Sequence, residues 1–435
     1  MVNRSGVKYT KMRSLLVIII LLVSTSCVSI QLRAQQDSLT ATGGPVPQKD
    51  VIDVIRAILK KPVGENRGKK AISISLLPVL GYNPSFGFNF GVNVMAGVKF
   101  GSQPNTIYSV FNVSATYSTK GIATLRARHN MFTPGNKWNW QGDWQLSKMG
   151  VVDYGLGTRA NKSTKQGFTL SEWPTHNGDS AFPIKYNYIQ LFEKAYRRIG
   201  EHTYIGAGVD FDIFSDINDK RFADTFPTPH HRYSRRNNFD DKDYAGNGFL
   251  LGFQYNNREH PVRSYGGFYA DVTLRVNQTW MGSSQNALLL LYDLRQYFSL
   301  SKRHPEHVLA FWEWASYDLS GKIPYLNLPG TAHDMYQRSG RGYTFGRFKG
   351  PSYAYFEGEY RFPIMDNGLI AGVCFINVQT ASNDDDQNVF KYWAPAAGVG
   401  ARILFDKTSR SALCLDYARG RNGASGFFAG LNEVF

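Results

Sequence analysis

The chain has 435 residues, 14 % of them aromatic, with 42 glycines, 3 cysteines and a formal net charge of +15. No apolar run approaches the twenty residues that a membrane helix needs, which excludes a helical membrane protein. Three scattered cysteines exclude a disulfide scaffold and a thiolate metal centre: Cys27 lies in the leader, and Cys374 and Cys414 read as small packing residues. The basic residues are spread along the chain without finger spacing or any other nucleic-acid module, so no nucleic-acid partner is expected.

Residues 1–34 read as a secretory signal peptide. Lys8, Lys11 and Arg13 form its basic region, Leu15 to Val23 its short apolar run, and cleavage is expected after Ala34. A lipoprotein alternative runs through Ser24-Thr-Ser-Cys27, without the usual leucine before the small residues. Residues 35–70 form a periplasmic segment with one short amphipathic helix over 50–61. Val51, Ile52, Val54, Ile55, Ile58 and Leu59 line one side of it, and Pro62 stops it. This helix is expected against or inside a barrel mouth, with a short leader of no role as the alternative. A basic linker, 64–70, follows.

From there the pattern changes to period two. Phe86, Phe88, Phe90, Val92 and Val94 alternate with Gly87, Asn89, Gly91 and Asn93, and Trp138, Trp140, Trp144 and Leu146 oppose Asn139, Gln141, Asp143 and Gln145. Ile205, Val209, Phe211 and Ile213 oppose Gly206, Gly208, Asp210 and Asp212 in the same way. One apolar and one polar face per strand is the pattern of a strand between lipid and a wet interior. The reading is sixteen strands, at 85–99, 106–117, 121–131, 137–148, about 151–157, 184–197, 203–214, 244–257, 264–278, 285–299, 306–318, 351–363, 368–378, 391–404, 411–420 and 425–435. The long connections 158–183, 215–243, 320–350 and 379–390 all follow odd strands. Short turns such as Thr119-Lys120, Gly150 and Lys302-Arg303 follow even ones. That sorting predicts long loops outside and short turns in the periplasm. The expected fold is all-β: a 16-stranded antiparallel transmembrane β-barrel over 71–435, closed by pairing of its last strand with its first, in a Gram-negative outer membrane.

The last hundred residues are more specific. Arg341-Gly342-Tyr343 lies in a long connection before the final five strands. Glu359-Tyr-Arg-Phe-Pro363, Gly398-Val-Gly-Ala-Arg402 and Leu415-Asp-Tyr-Ala418 follow in order, and Gly81-Tyr-Asn-Pro-Ser-Phe-Gly-Phe88 opens the strand region. Together these resemble the BamA/TamA superfamily of outer-membrane proteins, also called the bacterial surface antigen family, over roughly 71–435. The resemblance implies that Arg341 folds back into the interior as part of a loop-lock motif with Gly342 and Tyr343. Glu357, Glu359 and Arg361 share one strand face, and the two glutamates become its candidate partners, with pairing to Arg361 and an exposed loop arginine as the alternative. The chain departs from the family twice: 35–70 is too short for a POTRA domain, and Asn377 stands where the family usually has an aspartate.

The resemblance also implies a non-enzymatic role in outer-membrane protein assembly or protein translocation, by strand addition at a weak seam. Gly87, Gly91, Gly97, Gly426 and Gly430 either loosen that seam or serve curvature and packing. The alternative function is a passive pore or a structural anchor presenting loops to a partner. His230, His231 and Ser234 read as solvent-exposed loop residues, so no catalytic site, metal or cofactor is expected. The expected partners are outer-membrane lipid, the barrel assembly machinery for the chain's own insertion, and a periplasmic or secreted protein. Phe428, Gly430 and Phe435 resemble a C-terminal insertion signal, with Phe427, Ala429, Leu431, Glu433 and Phe435 turned toward lipid. On that reading, loss of Phe435 slows insertion and leaves the melting point of the folded protein nearly unchanged.

Overall fold

Alternation of apolar and polar residues specifies strands, and the strands found run nearly the length of the chain. The computed structural model describes residues 46–59, 72–83, 87–103, 106–159, 182–219, 228–383, 388–407, 410–431 and 433–435. The expected signal peptide, the basic linker and most of the 158–183 insertion lie outside the described residues. The strands are β1 (Ile72–Asn83), β2 (Gly87–Val98), β3 (Ser109–Ser118), β4 (Ala123–Phe132), β5 (Trp138–Asp153), β6 (Phe182–Arg198), β7 (Thr203–Asn218) and β8 (Tyr244–Asn256). They continue with β9 (Gly267–Asn277), β10 (Ala287–Ser299), β11 (Val308–Gly321), β12 (Tyr353–Pro363), β13 (Ile370–Ala381), β14 (Ala394–Asp406), β15 (Ser411–Gly420) and β16 (Ser425–Leu431).

They form one 16-stranded antiparallel sheet in sequence order. Among the described residues the ladder runs from β1 to β16 without joining them, so the expected closed barrel is not found. The reason lies at the end of the chain. β16 pairs with β15 from Ser425 to Leu431 and stops there. Glu433, Val434 and Phe435 are buried against side chains of the sheet instead of extending the strand.

The count of sixteen also hides two offsetting differences from the expected strands. Pro78 and Gly81 break the alternation of β1, which the sequence reading passed over; β1 is an end strand of the ladder, where proline is tolerated. The expected strand at 151–157 is instead the end of β5, which runs unbroken through Gly150 to Asp153, in register with Phe182. With β1 restored, the Thr119-Lys120 turn lies at the same sheet edge as the long connections 154–181, 219–243, 322–352 and 382–393.

One face of the sheet is apolar and uncovered. Along β5, Trp138, Trp140, Trp144 and Leu146 are exposed while Asn139, Gln141, Asp143 and Gln145 are buried. On β15, Leu413, Leu415 and Tyr417 are exposed while Ala412, Cys414, Asp416 and Ala418 are buried. Phe88, Phe90, Val113, Leu125, Ile189, Ile205, Phe253, Phe311, Ile376 and Phe427 carry the exposed apolar face across the sheet. The opposite, polar face is tied by side-chain bonds between strands. Arg275 on β9 pairs with Asp210 at 2.6 Å and Asp212 at 2.8 Å on β7. Lys194 on β6 pairs with Asp271 on β9 at 2.9 Å.

Two helices are described, where one was expected. No helix among the described residues is long and apolar enough to cross a membrane. The first, α1 (Val51–Ile58), starts on a capping box: the Asp50 side chain accepts from the Asp53 amide and the Asp53 side chain accepts from the Asp50 amide. The second, α2 (Pro229–Arg236), is capped by Thr228, whose side chain accepts from the His231 amide. It overturns the exposed reading of its histidines, because His230 and Ser234 are fully buried and His231 nearly so. His230 bonds Asp219 at 3.0 Å and the Tyr244 hydroxyl at 3.2 Å, and Tyr233 donates to the Ile323 carbonyl. These contacts fasten the 219–243 connection to the 322–352 connection.

Candidate loop-lock site

The site is built by the 322–352 connection lying against the polar face. Its turn around Arg341 depends on two glycines with left-handed backbone, Gly340 at φ 80° and Gly342 at φ 102°. A β-carbon at Gly340 would meet Thr331 Cγ2 at 2.4 Å, so the position excludes any larger residue on space as well as on backbone angle.

Arg341 is buried and donates from three nitrogens. Nε and Nη2 reach Glu357 at 3.3 and 2.6 Å, Nη2 also reaches Glu359 at 2.6 Å, and Nη1 reaches Asp416 at 2.8 Å. The guanidinium sits 3.4 Å from the centroid of the Phe375 ring. Burial opposes its charge, but Glu357, Glu359 and Asp416 outweigh burial and hold its pKa well above the usual arginine value. The Asn377 amide donates to the Arg341 carbonyl at 3.0 Å and to Glu357 at 3.4 Å. The Tyr343 hydroxyl donates to the Pro395 carbonyl at 2.6 Å and accepts from the Arg421 amide at 2.8 Å. It thereby joins the start of β14 to the β15–β16 turn.

Sequence reasoning missed Asp416 as a partner, although it is part of the Leu415-Asp-Tyr-Ala418 motif. It stands on β15 among Ala412, Cys414 and Ala418, the only charged side chain on that buried parity. It also missed the extension of the site to the chain end. Arg402 on β14 donates to Asp416 at 2.5 Å and to Glu433 at 2.7 Å. Arg361 on β12 donates to Glu359 at 2.8 Å and to the Phe435 carbonyl at 3.0 Å. Arg263 lies 3.1 Å from Glu433. Arg263, Arg341, Arg361 and Arg402 thus face Glu357, Glu359, Asp416 and Glu433 in one buried network of ion pairs.

The insertion-signal residues divide. Phe428 packs against Val373, Phe375 and Ala418, and Gly430 pairs with Cys414 across the ladder. Phe435 and Glu433 do not face outward with Phe427, as the alternation suggested. Phe427 is 83 % exposed, whereas Phe435 is 4 % exposed and stacks on Trp312 at 5.3 Å. The strand has ended by then, so its parity no longer governs these residues.

The same connection is held at its other end. Lys349 pairs with Asp153 at 2.9 Å beneath the Tyr325 ring, and Arg126 on β4 donates to the Met335 carbonyl at 2.9 Å. His333 is bonded through Nδ1 to the Leu328 carbonyl at 2.8 Å, and burial, then Lys349, lowers its pKa to about 4. It is therefore neutral in the seated connection and gains a proton when released. Its contribution is complete above the ordinary value near 6.5 and lost as pH falls through about 4. Protease cleavage within 322–352 is expected to speed up between pH 6.5 and pH 4. His333→Gln should flatten that dependence while leaving cleavage at pH 7.5 the slower limit; an unchanged pH profile in the variant would assign the effect elsewhere.

No protein-family model matches the chain, and neither does any curated protein. Solved structures do match its fold. A BamA from Haemophilus ducreyi lacking POTRA domains 1–3 is 14 % identical with a TM-score of 0.52, over 83 % of this chain and 70 % of that one. CdiB from Escherichia coli is 8 % identical with a TM-score of 0.51, over 86 % of this chain and 63 % of that one. CdiB from Acinetobacter baumannii is 12 % identical with a TM-score of 0.47, over 83 % of this chain and 59 % of that one. The chain therefore spans less than two thirds of either CdiB structure. At these identities the likeness is one of fold.

Proposed function

We propose that the chain is an outer-membrane protein of a Gram-negative bacterium that assists outer-membrane protein assembly or translocation by offering the edge of β1 to an incoming strand. The observation that carries this reading is the sheet edge: among the described residues β1 has a single ladder neighbour, β2, while one face of the sheet is apolar and exposed. In hydrocarbon an unpaired strand edge is costly, and pairing with another chain satisfies it. Strand addition needs no covalent chemistry and takes its affinity from main-chain hydrogen bonds. The fold shared with BamA and CdiB structures supports the same reading. The pore reading is not carried forward, because the 322–352 connection and its ion pairs occupy the polar face.

A photo-crosslinking residue at Ile74 on β1, compared with one at Ile189 on β6, tests this. Both side chains are exposed and apolar, but β6 has a neighbour on each side. In cells synthesising outer-membrane proteins, position 74 should give adducts with nascent chains several-fold above position 189. Equal yields at the two positions would reject strand addition at β1.

A further inference from the structure

Helices at a protein surface normally bury their apolar stripe and show water their polar one. α1 does the reverse. Asp50, Asp53 and Arg56 recur on one side of the helix, and Val51, Val54, Ile55, Ile58 and Leu59 on the other. It is the acidic side that docks. Asp50 is fully buried and accepts from the Lys407 amide at 3.0 Å, and Asp53 pairs with the Lys407 ammonium at 2.7 Å. The apolar side is turned out, with Ile55, Ile58 and Leu59 at 48, 74 and 59 % exposure.

The segment before the helix fixes where this happens. Val46 donates to the Arg303 carbonyl in the β10–β11 turn, Gln48 to the Tyr265 hydroxyl in the β8–β9 connection, and Lys49 to the Asn367 carbonyl in the β12–β13 turn. Residues 46–50 therefore run along the sheet edge opposite the long connections, and α1 rests at the end of β14. On that strand the outward apolar parity runs from exposed Pro395, Ala397 and Val399 at the far end to half-buried Ala401, Ile403 and Phe405 at the end beside the helix. Three basic residues lie at the helix: Lys49 just before it, Arg56 within it and Lys407 against it.

We infer that α1 is an interfacial helix, with its apolar side in the headgroup–acyl boundary of the membrane leaflet at that edge. The continuity of its apolar side with the apolar face of the sheet selects lipid as the occupant, and the cations at the helix suit phosphate headgroups. The inference rests on the membrane reading of the sheet. Lys407 clamps the polar side, so the helix lies along the boundary at the level where the strands end.

The test uses the full chain in phosphatidylcholine–phosphatidylglycerol vesicles, with Cys27→Ser, Cys374→Ser and Cys414→Ala as background. Single cysteines carrying an environment-sensitive fluorophore are placed by Ile58→Cys, Leu415→Cys and Arg235→Cys. Position 415 reports the sheet face, and position 235, exposed on α2, reports water. A nitroxide attached near the lipid headgroup should quench the label at 58 at least about threefold more than the label at 235. Quenching at 415 but not at 58 would overturn the interfacial helix and leave the membrane sheet standing. Quenching at neither position would overturn the membrane reading itself.

Discussion

Arg341→Ala is expected to destabilise the folded chain by about 3–5 kcal/mol, because it strips a buried network of its central cation. The loss is not shared evenly among the three carboxylates. Glu359 keeps Arg361 and Asp416 keeps Arg402. Glu357 is left with the Tyr355 hydroxyl and the Asn377 amide, neither of them charged. The cost should therefore concentrate at Glu357, and adding Glu357→Gln to Arg341→Ala should recover at least about 1 kcal/mol by removing the orphaned charge. Denaturant unfolding in detergent micelles measures both variants, and protease cleavage within 322–352 reports whether the connection has left the polar face. A single variant within about 0.5 kcal/mol of the parent would show that the arginine is a passenger. Arg341→Lys is a milder probe: an ammonium cannot fork toward three carboxylates as the guanidinium does.

Phe435→Ala is the second large effect, where the sequence reading expected a nearly unchanged melting point. An outward terminal aromatic would contribute little to the folded state. The ring found here is enclosed by Trp312, Tyr297 and the Arg361 guanidinium, with centroid distances of 5.3, 6.2 and 5.3 Å. Emptying that site should cost about 3–5 kcal/mol, in the range of other buried aromatic truncations. The Arg361 bond to the Phe435 carbonyl survives the substitution, so the variant isolates the ring from the chain end. Thermal unfolding of refolded protein checks this; an unchanged melting temperature would return Phe435 to the outer face.

These two residues mark where the sequence was legible and where it was not. Alternation is a local property, and it located the strands whose two faces differ most, such as β5 with its exposed tryptophans and buried amides. It failed where local pattern and long-range pairing disagree. Pro78 disguised β1, and Gly150 with the apolar pair Val151-Val152 made one strand look like two. The arginine lock could be inferred only in part. Glu357 and Glu359 declare themselves by sharing a face two residues apart, whereas Asp416 lies 75 positions from Arg341 and enters through the neighbourhood of β15. The extension of the network to Glu433 was not legible in the sequence, since Arg263 and Glu433 meet across a gap that no spacing rule connects. Closure failed for a related reason: the alternation of β16 continues in the sequence to Phe435, but the strand ends at Leu431 and Glu433 turns to buried cations.

The 322–352 connection also sets an order of events. Each strand of the ladder pairs with its sequence neighbours, so the sheet can grow by closing one short loop at a time. The connection obeys another arithmetic. Its bond from Arg126 to Met335 spans 209 positions, and the bond from Arg341 to Asp416 requires a strand made 75 positions later. Such distant pairings carry the largest chain-entropy cost and form late. The connection can seat only when β15 is in place, so it waits while the neighbouring strands pair. During that interval its buried cations and the carboxylates awaiting them stand in water, and the polar face is at its most accessible. On that arithmetic the connection seats after the neighbouring pairs, and its bonds then tie strands far apart in the sequence to one another.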